Sequence, residues 1–287
     1  MIQLFVDLQL PAAQAWRSFT QPAHIINWNF AHESWHCPTA ENNLQAGGHF
    51  KYHMAARDGS GSFDFEGQFE QIEHRQRIAY HLNDSRKVEF RIEPTDSGIR
   101  VWHNFEAATD HDAEQQRQGW QAILDQFALY TASLEPLVEM HFEHDYPIAP
   151  EELCNMMFSD KGYREWTKPF NANSHFEGVW ETGASMRFLG VDGDGTVGGM
   201  LSKIRLFEAG KQVCIVHEGD IQKGQEVRFD QSVAQWAGAE ENYYFEPMEG
   251  GTRLRVMAEV APQFESWMQE FWPPALQKLH QMCEKAS

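Results

Sequence analysis

The sequence has few cysteines and few positive charges. Its four cysteines lie far apart and form no CxxC pair, which is typical of a reduced compartment rather than of a disulfide scaffold. The 23 lysines and arginines form no cluster and are outnumbered by 42 aspartates and glutamates, so the net charge is −19. We therefore expect no nucleic-acid partner and no membrane partner, because both would require clustered positive charge.

Long apolar runs and targeting signals are also missing. No stretch approaches the roughly 18 apolar residues that span a bilayer. The N-terminal "MIQLFVDLQLP" lacks the basic segment of a signal peptide. No phosphate-binding loop occurs, and we expect no cofactor. These observations predict a cytoplasmic protein.

An internal repeat is the main organising feature that the sequence does contain. "LPAAQAWRSFTQPAHIINW" (10–28) aligns without a gap with "IAPEELCNMMFSDKGYREW" (148–166). Later, "GWQAILDQF" (119–127) matches "FWPPALQKL" (271–279), and the order of elements is the same in both halves. A repeat of this length indicates a duplicated domain rather than a solenoid unit.

We predict two domains, 1–136 and 137–287, joined near "SLEPLVE", where Pro136 interrupts the preceding helix. Each domain reads as an α+β unit. In the first, Pro11 and Pro22 begin two short helices after an alternating N-terminal strand. The segments "GGHFKYHMA", "SFDFEGQFEQI", "RIAYHL", "KVEFRIEP" and "IRVWHNFEA" then predict an antiparallel sheet with one wet face.

Residues 112–134 predict a long amphipathic helix that covers the apolar face of this sheet. Its inward positions at helical spacing are Trp120, Ile123, Leu124, Phe127, Thr131 and Leu134. The 20 phenylalanines and ten tryptophans of the chain suit a thick core or a lined cavity between sheet and helix.

The first half resembles a known family through "WNFAHESWHCPTAENNLQAGGHF" (28–50), "ARDGSGSFDFEGQF" (56–69) and "GWQAIL" (119–124). These motifs are similar to those of the SRPBCC (START-like) superfamily, and within it to bacterial homologues of the activator of heat-shock-protein-90 ATPase. The second half, 137–287, resembles the same family more loosely, through "WAGAEENYYF", "GGTRLRV" and "FWPPAL". The resemblance implies two tandem helix-grip domains, each a curved antiparallel sheet wrapped around a long C-terminal helix that encloses a hydrophobic cavity.

Three functions follow from this resemblance, because relatives with this fold differ in what they do. The leading one is non-catalytic binding of a small hydrophobic or amphipathic ligand, mainly in the first domain, since no catalytic constellation stands out. The second is a protein-interaction module that modulates a chaperone ATPase. The third is a cyclase-like or hydrolytic enzyme that uses His103 as its base.

The stretch "WNFAHESWHCP" (28–38) brings together two histidines and a cysteine, and it allows three interpretations. His32 and His36 could share a helix face as zinc ligands with Cys37, but Pro38 ends any helix there, and no second pair of ligands follows. Cys37 as a nucleophile would need a base, and adjacent His36 points away in an extended segment. We favour a loop at the cavity rim, with the Trp28, Phe30 and Trp35 rings at the entrance, and predict no metal.

"VDGDGTVGG" (191–199) resembles the start of a calcium loop. Counted from Asp192, however, the fifth and twelfth positions are Thr196 and Lys203, which do not fit the EF-hand pattern. The two Asp-Gly pairs predict a hairpin turn instead.

The inward parity of the strand "IRVWHNFEA" places His103 against the long helix. It is either a histidine satisfied within the core or a polar contact in an apolar pocket, and burial should keep it neutral. The second domain has Val256 at the aligned position, so we expect its site to be more apolar or filled. The predicted ligand-binding residues are Trp16, Trp28, Trp35, Phe50, Tyr52, Phe65, His103, Trp120 and Leu124.

Overall fold

The chain divides into two compact units, residues 1–135 and 136–287. The computed structural model describes residues 1–191 and 193–285. Each unit is a curled antiparallel sheet with a long C-terminal helix, so the predicted α+β class and helix-grip architecture are confirmed.

The first unit contains seven strands and three helices among its described residues. The strands are Phe5–Leu8 (β1), Trp35–Asn42 (β2), His49–Ala56 (β3), Ser62–Glu73 (β4), Arg77–Leu82 (β5), Lys87–Thr95 (β6) and Gly98–Phe105 (β7). The helices are Ala12–Thr20 (α1), Pro22–Trp28 (α2) and Ala113–Ser133 (α3). The spatial order of the strands is β1-β7-β6-β5-β4-β3-β2, so the chain crosses from one edge to the other through α1 and α2 and then returns strand by strand.

Helix α3 packs its apolar side on the sheet and on the two short helices. Phe127 is fully buried, with its ring centroid 6.1 Å from that of Phe90 on β6 and 5.1 Å from that of Trp28 on α2. The Trp120 ring is stacked on Phe105 of β7 at 4.2 Å. The helix is capped at its start by Asp112, which accepts a hydrogen bond from the Gln115 amide, and this supports the predicted boundary.

Strand β2 differs from the sequence-based expectation for residues 28–38. We interpreted that stretch as a loop at a cavity rim, but Trp35–Asn42 form an edge strand paired with β3. The register shifts between His36 and Thr39, where Cys37 and Pro38 lie. Because proline has no N–H to donate, it is tolerated at an edge strand or an irregularity, and the pairing with β3 outweighs the local signal.

The second unit repeats this plan with additions. Its strands are Val138–Tyr146 (β8), His175–Gly178 (β9), Ser185–Val191 (β10), Val197–Glu208 (β11), Gln212–Gln222 (β12), Gln225–Val227 (β13), Glu240–Met248 (β14) and Gly251–Val260 (β15). Its helices are Pro150–Phe158 (α4), Asp160–Trp166 (α5), Gln231–Ala234 (α6) and Glu265–Glu284 (α7), with a 3-10 turn at Pro262–Phe264. The order β8-β15-β14-β12-β11-β10-β9 matches the first sheet, and β13 pairs with β12 as an extra strand.

Two features distinguish the second unit. The connection from β12 to β14 spans residues 223–239 and carries β13 and α6, whereas the corresponding connection from β5 to β6 is residues 83–86. The long helix α7 contains Pro273 and Pro274 in its interior. Since proline has no N–H, neither residue donates an intrahelical hydrogen bond.

The aligned tryptophans Trp28 and Trp166 have the same structural role in the two units. Each ends the second short helix, and each indole Nε1 donates to a backbone carbonyl of the first short helix, that of Ser18 at 2.9 Å and that of Met157 at 3.0 Å. Both side chains are buried. The repeat in the sequence therefore preserves a hydrogen bond that fixes one short helix against the other.

Candidate ligand-binding site

The nine residues predicted to line a first-unit cavity comprise a contacting group of five, three tryptophans that lie apart from it, and Leu124. Phe65 contacts Trp120 edge-on, with centroids 6.0 Å apart, and the His103 ring lies 5.1 Å from Trp120. Phe50 and Tyr52 extend this group along β3, each within ring contact of Phe65. These five aromatic side chains contact one another in a continuous series.

The three tryptophans lie apart from this group. Trp16 contacts His74, with ring centroids 5.5 Å apart, and Trp35 contacts the exposed Phe63 at 5.7 Å. Trp28 is buried between α1 and α3 rather than at an entrance, because its indole N–H is bonded to α1. The ninth predicted residue, Leu124, is buried in the hydrophobic core on α3.

His103 faces the long helix as parity predicts. It is buried, and its Nε2 lies 3.0 Å from the hydroxyl oxygen of Tyr80. Burial lowers the pKa of His103 to about 4, so the ring is neutral at physiological pH. A neutral, hydrogen-bonded histidine fits the satisfied core residue that we weighed against a ligand contact.

The histidine–cysteine stretch does not assemble a metal site among the described residues, in which no cluster of three or more metal-ligating side chains occurs. His32 is exposed and bonded to Ser34, whereas Cys37 is buried and its Sγ lies 3.4 Å from the carbonyl oxygen of Thr39. Burial raises the pKa of the Cys37 thiol to about 12. The thiolate that a nucleophile or a metal ligand requires is therefore disfavoured.

The second unit encloses two adjoining chambers between its sheet and α7. The inner chamber has a volume of about 150 Å³ and is walled by aromatic side chains, among them Trp166, Phe188 and Trp272. The outer chamber has a volume of about 250 Å³ and extends toward the start of α7 and the 223–239 segment. The residues that border both chambers are Met200, His217, Glu241, Trp267 and Met268.

Two strands of the sheet contribute polar side chains to these apolar chambers, and the first is His217 on β12. His217 is buried, and its Nδ1 is hydrogen-bonded to the hydroxyl of Ser202 at 2.8 Å. Ser202 does not border either chamber, so it orients the imidazole from behind. Burial lowers the pKa of His217 to about 4, which keeps the ring neutral.

Glu241 borders both chambers one strand away from His217. Its carboxylate accepts a hydrogen bond from the Tyr243 hydroxyl. Burial raises the pKa of the Glu241 carboxyl above its usual value, and the hydrogen bond from Tyr243 opposes the shift. The cavity thus contains a weak base and a carboxyl group that is easier to protonate than an exposed one.

Two tryptophans that border the inner chamber have indole N–H groups that the described residues leave unsatisfied. The indole N–H groups of Trp180 and Trp272 are buried, and neither has a hydrogen-bond partner among the described residues. Both side chains border the inner chamber. Buried donors are nearly always satisfied, so these two N–H groups carry an energetic cost.

We expected the second-unit site to be more apolar than that of the first unit, or filled; it is open, and polar groups border it. Val256, the residue aligned with His103, is indeed buried in the core. The polar groups come instead from other strands, His217 on β12 and Glu241 on β14. The comparison of Val256 with His103 concerns a different strand and therefore could not predict them.

Two further sequence-based expectations concern the proposed calcium loop and membrane-spanning helices. The proposed start of a calcium loop, Asp192, lies outside the described residues, and β10 and β11 pair on either side of it as a hairpin. Among the described residues, no helix combines the length and the apolar character needed to cross a membrane.

Comparison with known proteins matches residues 9–132 to the family model described as Activator of Hsp90 ATPase homolog 1-like protein. An AHSA1-like protein from Aeromonas hydrophila is 36% identical, covers 45% of this chain and 90% of its own, and superposes with a TM-score of 0.44. A protein from Cytophaga hutchinsonii is 38% identical over the same shares of the two chains, with a TM-score of 0.42.

A solved structure with two domains aligns with the whole chain. The di-domain ARO/CYC protein StfQ from the steffimycin biosynthetic pathway is 13% identical, covers 100% of this chain and 99% of its own, and has a TM-score of 0.46. No curated protein matches the chain. Through residues 9–132 the chain belongs to the family of Activator of Hsp90 ATPase homolog 1-like proteins.

Proposed function

We propose that the protein binds a small hydrophobic or amphipathic molecule non-covalently in the two chambers of the second unit. The observation that carries this proposal is the pair of adjoining chambers, which are walled by aromatic side chains and bordered by the polar residues His217 and Glu241. Ligand sites are typically apolar clefts with a few fixed polar groups. Together the chambers reach the lower end of the volumes that hold drug-sized ligands, roughly 300–1,000 Å³.

The second unit is favoured over the first for this role. In the first unit, Trp120 stacks on Phe105 and contacts both His103 and Phe65. These aromatic side chains therefore pack against one another rather than against an open space. In the second, the space between sheet and helix is open beside Met200 and Met268. Methionine is flexible and adapts its shape to different apolar partners.

Binding of a neutral apolar fluorophore, N-phenyl-1-naphthylamine, tests the proposal. Met268→Trp adds bulk where both chambers meet and should weaken binding about tenfold or more by removing room for the probe. Gln269→Trp, one position along α7 and exposed, should leave the affinity within about twofold because it adds the same ring outside the cavity. Equal binding by both variants and the wild type would refute the proposed location.

Native mass spectrometry of the freshly purified protein provides a second test. A retained small molecule should dissociate from the wild type and be depleted in Met268→Trp. If the Trp120→Ala variant, and not Met268→Trp, retains less of the molecule than the wild type, the ligand binds in the first unit.

Acid–base chemistry on the bound molecule is a second candidate function. The observation that favours it is that two pKa values in one cavity are shifted in opposite directions. Burial lowers the pKa of His217, which is a neutral base, and raises that of the Glu241 carboxyl. His217→Gln should then retain binding of the co-purified molecule but abolish any mass change on incubation. Unchanged conversion in that variant would remove His217 from the chemistry, and a molecule that the wild type never alters would leave binding as the function.

A further inference from the structure

The outer chamber combines negative charge with an apolar mouth. Two carboxylates lie on the chamber side of the sheet, those of Asp220 and Glu241, and none of the residues that line the chamber is a lysine or an arginine. Two carboxylates and no lining lysine or arginine leave the chamber acidic.

Both Asp220 and Glu241 have only neutral hydrogen-bond partners among the described residues. Asp220 accepts hydrogen bonds from the Ile221 amide and the Gln222 side chain, and Glu241 accepts one from Tyr243. Neither forms a salt bridge within the described part of the chain. Buried or half-buried carboxylates without a cation are costly, and a positive group on a ligand would compensate them.

His217 provides an independent indication that the chamber binds a hydrogen-bond donor. Its side chain is 6% exposed, borders both chambers and has one hydrogen bond, from Nδ1 to Ser202. The opposite ring nitrogen, Nε2, has no partner among the residues that the structure describes. In the tautomer that donates Nδ1–H to Ser202, Nε2 carries a lone pair on the chamber side and can accept an N–H from a ligand.

The mouth of the outer chamber is built from aromatic rings. Phe264 is 48% exposed and Trp267 is 40% exposed, and Trp236 of the 223–239 segment completes this wall. Aromatic faces attract cations, tryptophan most strongly. Carboxylates, an imidazole lone pair and indole faces are all groups that favour a positive charge, and they meet in one space.

We propose, on the basis of the ligand-binding function above, that the outer chamber receives a protonated amine and that the apolar body of the same molecule lies in the inner chamber. The ligand class is thus an amphipathic amine rather than a fatty acid or a neutral hydrocarbon. Asp220 and Glu241 hold the ammonium group, His217 accepts one of its N–H groups, and Trp267 covers it at the mouth.

Three probes with one ring system and different head groups test this inference: 2-naphthylmethylamine, 2-naphthylmethanol and 2-naphthoate. Isothermal titration calorimetry on the full chain at neutral pH should rank the amine tightest and the carboxylate weakest. The amine should bind about tenfold more tightly than the alcohol, as expected for one charge-assisted contact in a partly dry site. Equal affinities for amine and alcohol, or a preference for the carboxylate, would overturn the amine assignment and leave the proposed function intact. Failure of all three probes to bind would count against the proposed function itself.

Charge-neutralising variants locate the head group. Asp220→Asn and Glu241→Gln keep shape and hydrogen-bonding capacity, and each should reduce the preference for amine over alcohol by about fivefold or more. The control is Glu208→Gln, an exposed carboxylate of the same unit that borders neither chamber, and it should leave the preference unchanged. If all three variants behave alike, the preference arises from the overall charge of −19 and the assignment to the outer chamber is wrong. Binding of the alcohol to each variant verifies that the fold is retained.

Discussion

The hydroxyl oxygen of Tyr80 lies 3.0 Å from Nε2 of His103, and both side chains are buried beneath helix α3. In the folded state the imidazole resists protonation, because burial lowers its pKa from 6.5 to about 4. In the unfolded chain it titrates normally. The stability of the first unit therefore depends on pH.

Between pH 6.5 and 4 the unfolded state binds a proton at His103 that the folded state does not bind, so stability falls as the pH falls through this window. Below it the dependence disappears, since both states are protonated. Lowering the pH from 7.5 to 5 should cost roughly 2 kcal/mol through this group. Calorimetry should find that His103→Gln flattens the pH profile by this amount, whereas parallel profiles would contradict the prediction.

Helix α3 offers a matched pair of truncations. Trp120→Ala removes a ring that stacks on Phe105 and contacts His103, and it should destabilise the first unit by roughly 2–3 kcal/mol, less than for a fully buried tryptophan. Leu129→Ala, at a position 68% exposed on the same helix, should change stability by less than about 0.5 kcal/mol. Chemical denaturation measures both, and similar losses would show that Trp120 packs less firmly than its contacts indicate.

Chelators should not alter the stability of the protein. His32 is exposed, and Cys37 is buried with its pKa raised to about 12, so the two do not supply a thiolate–imidazole pair for zinc. We expect an unchanged melting temperature after treatment with EDTA and no stoichiometric zinc in elemental analysis of the purified protein. One tightly bound equivalent of zinc would reverse this interpretation of residues 28–38.

Residues 1–135 should fold as an isolated fragment. They form one compact unit with a seven-stranded sheet, its covering helix and its own buried core. The fragment should show a cooperative thermal transition and dispersed amide resonances. A broad, non-cooperative transition would mean that this unit depends on the rest of the chain for its stability.

Much of the fold could be predicted because local signals and tertiary structure agree. Proline-marked helix starts and an alternating sheet are read from short windows, and α1 and α2 begin at or next to Pro11 and Pro22. Strand β2 could not be predicted in this way, because Cys37 and Pro38 interrupt the alternation and the pairing partner β3 lies elsewhere in the sequence. Its structure is determined by the neighbouring strand.

The candidate site was less accessible to sequence reasoning. His217 follows Val213 and Ile215 in alternation on β12, and this parity could have identified it. Asp220 is different: it pairs with Met200 only after a register shift between Leu201 and Ser202, which no alternation rule anticipates. The wall formed by Trp236 comes from the 223–239 segment, whose counterpart in the first unit, residues 83–86, is too short to align with it.

The two prolines within α7 remove backbone hydrogen bonds beside the two chambers. The hydrogen bonds that N–H groups at Pro273 and Pro274 would donate to the carbonyls of Gln269 and Glu270 are missing. The turns before them carry Trp267 and Met268, which border both chambers. If the proposed ligand enters beside these turns, the missing backbone bonds ease local opening of the helix there, and we expect Pro274→Ala to act on association and dissociation rates more than on equilibrium affinity.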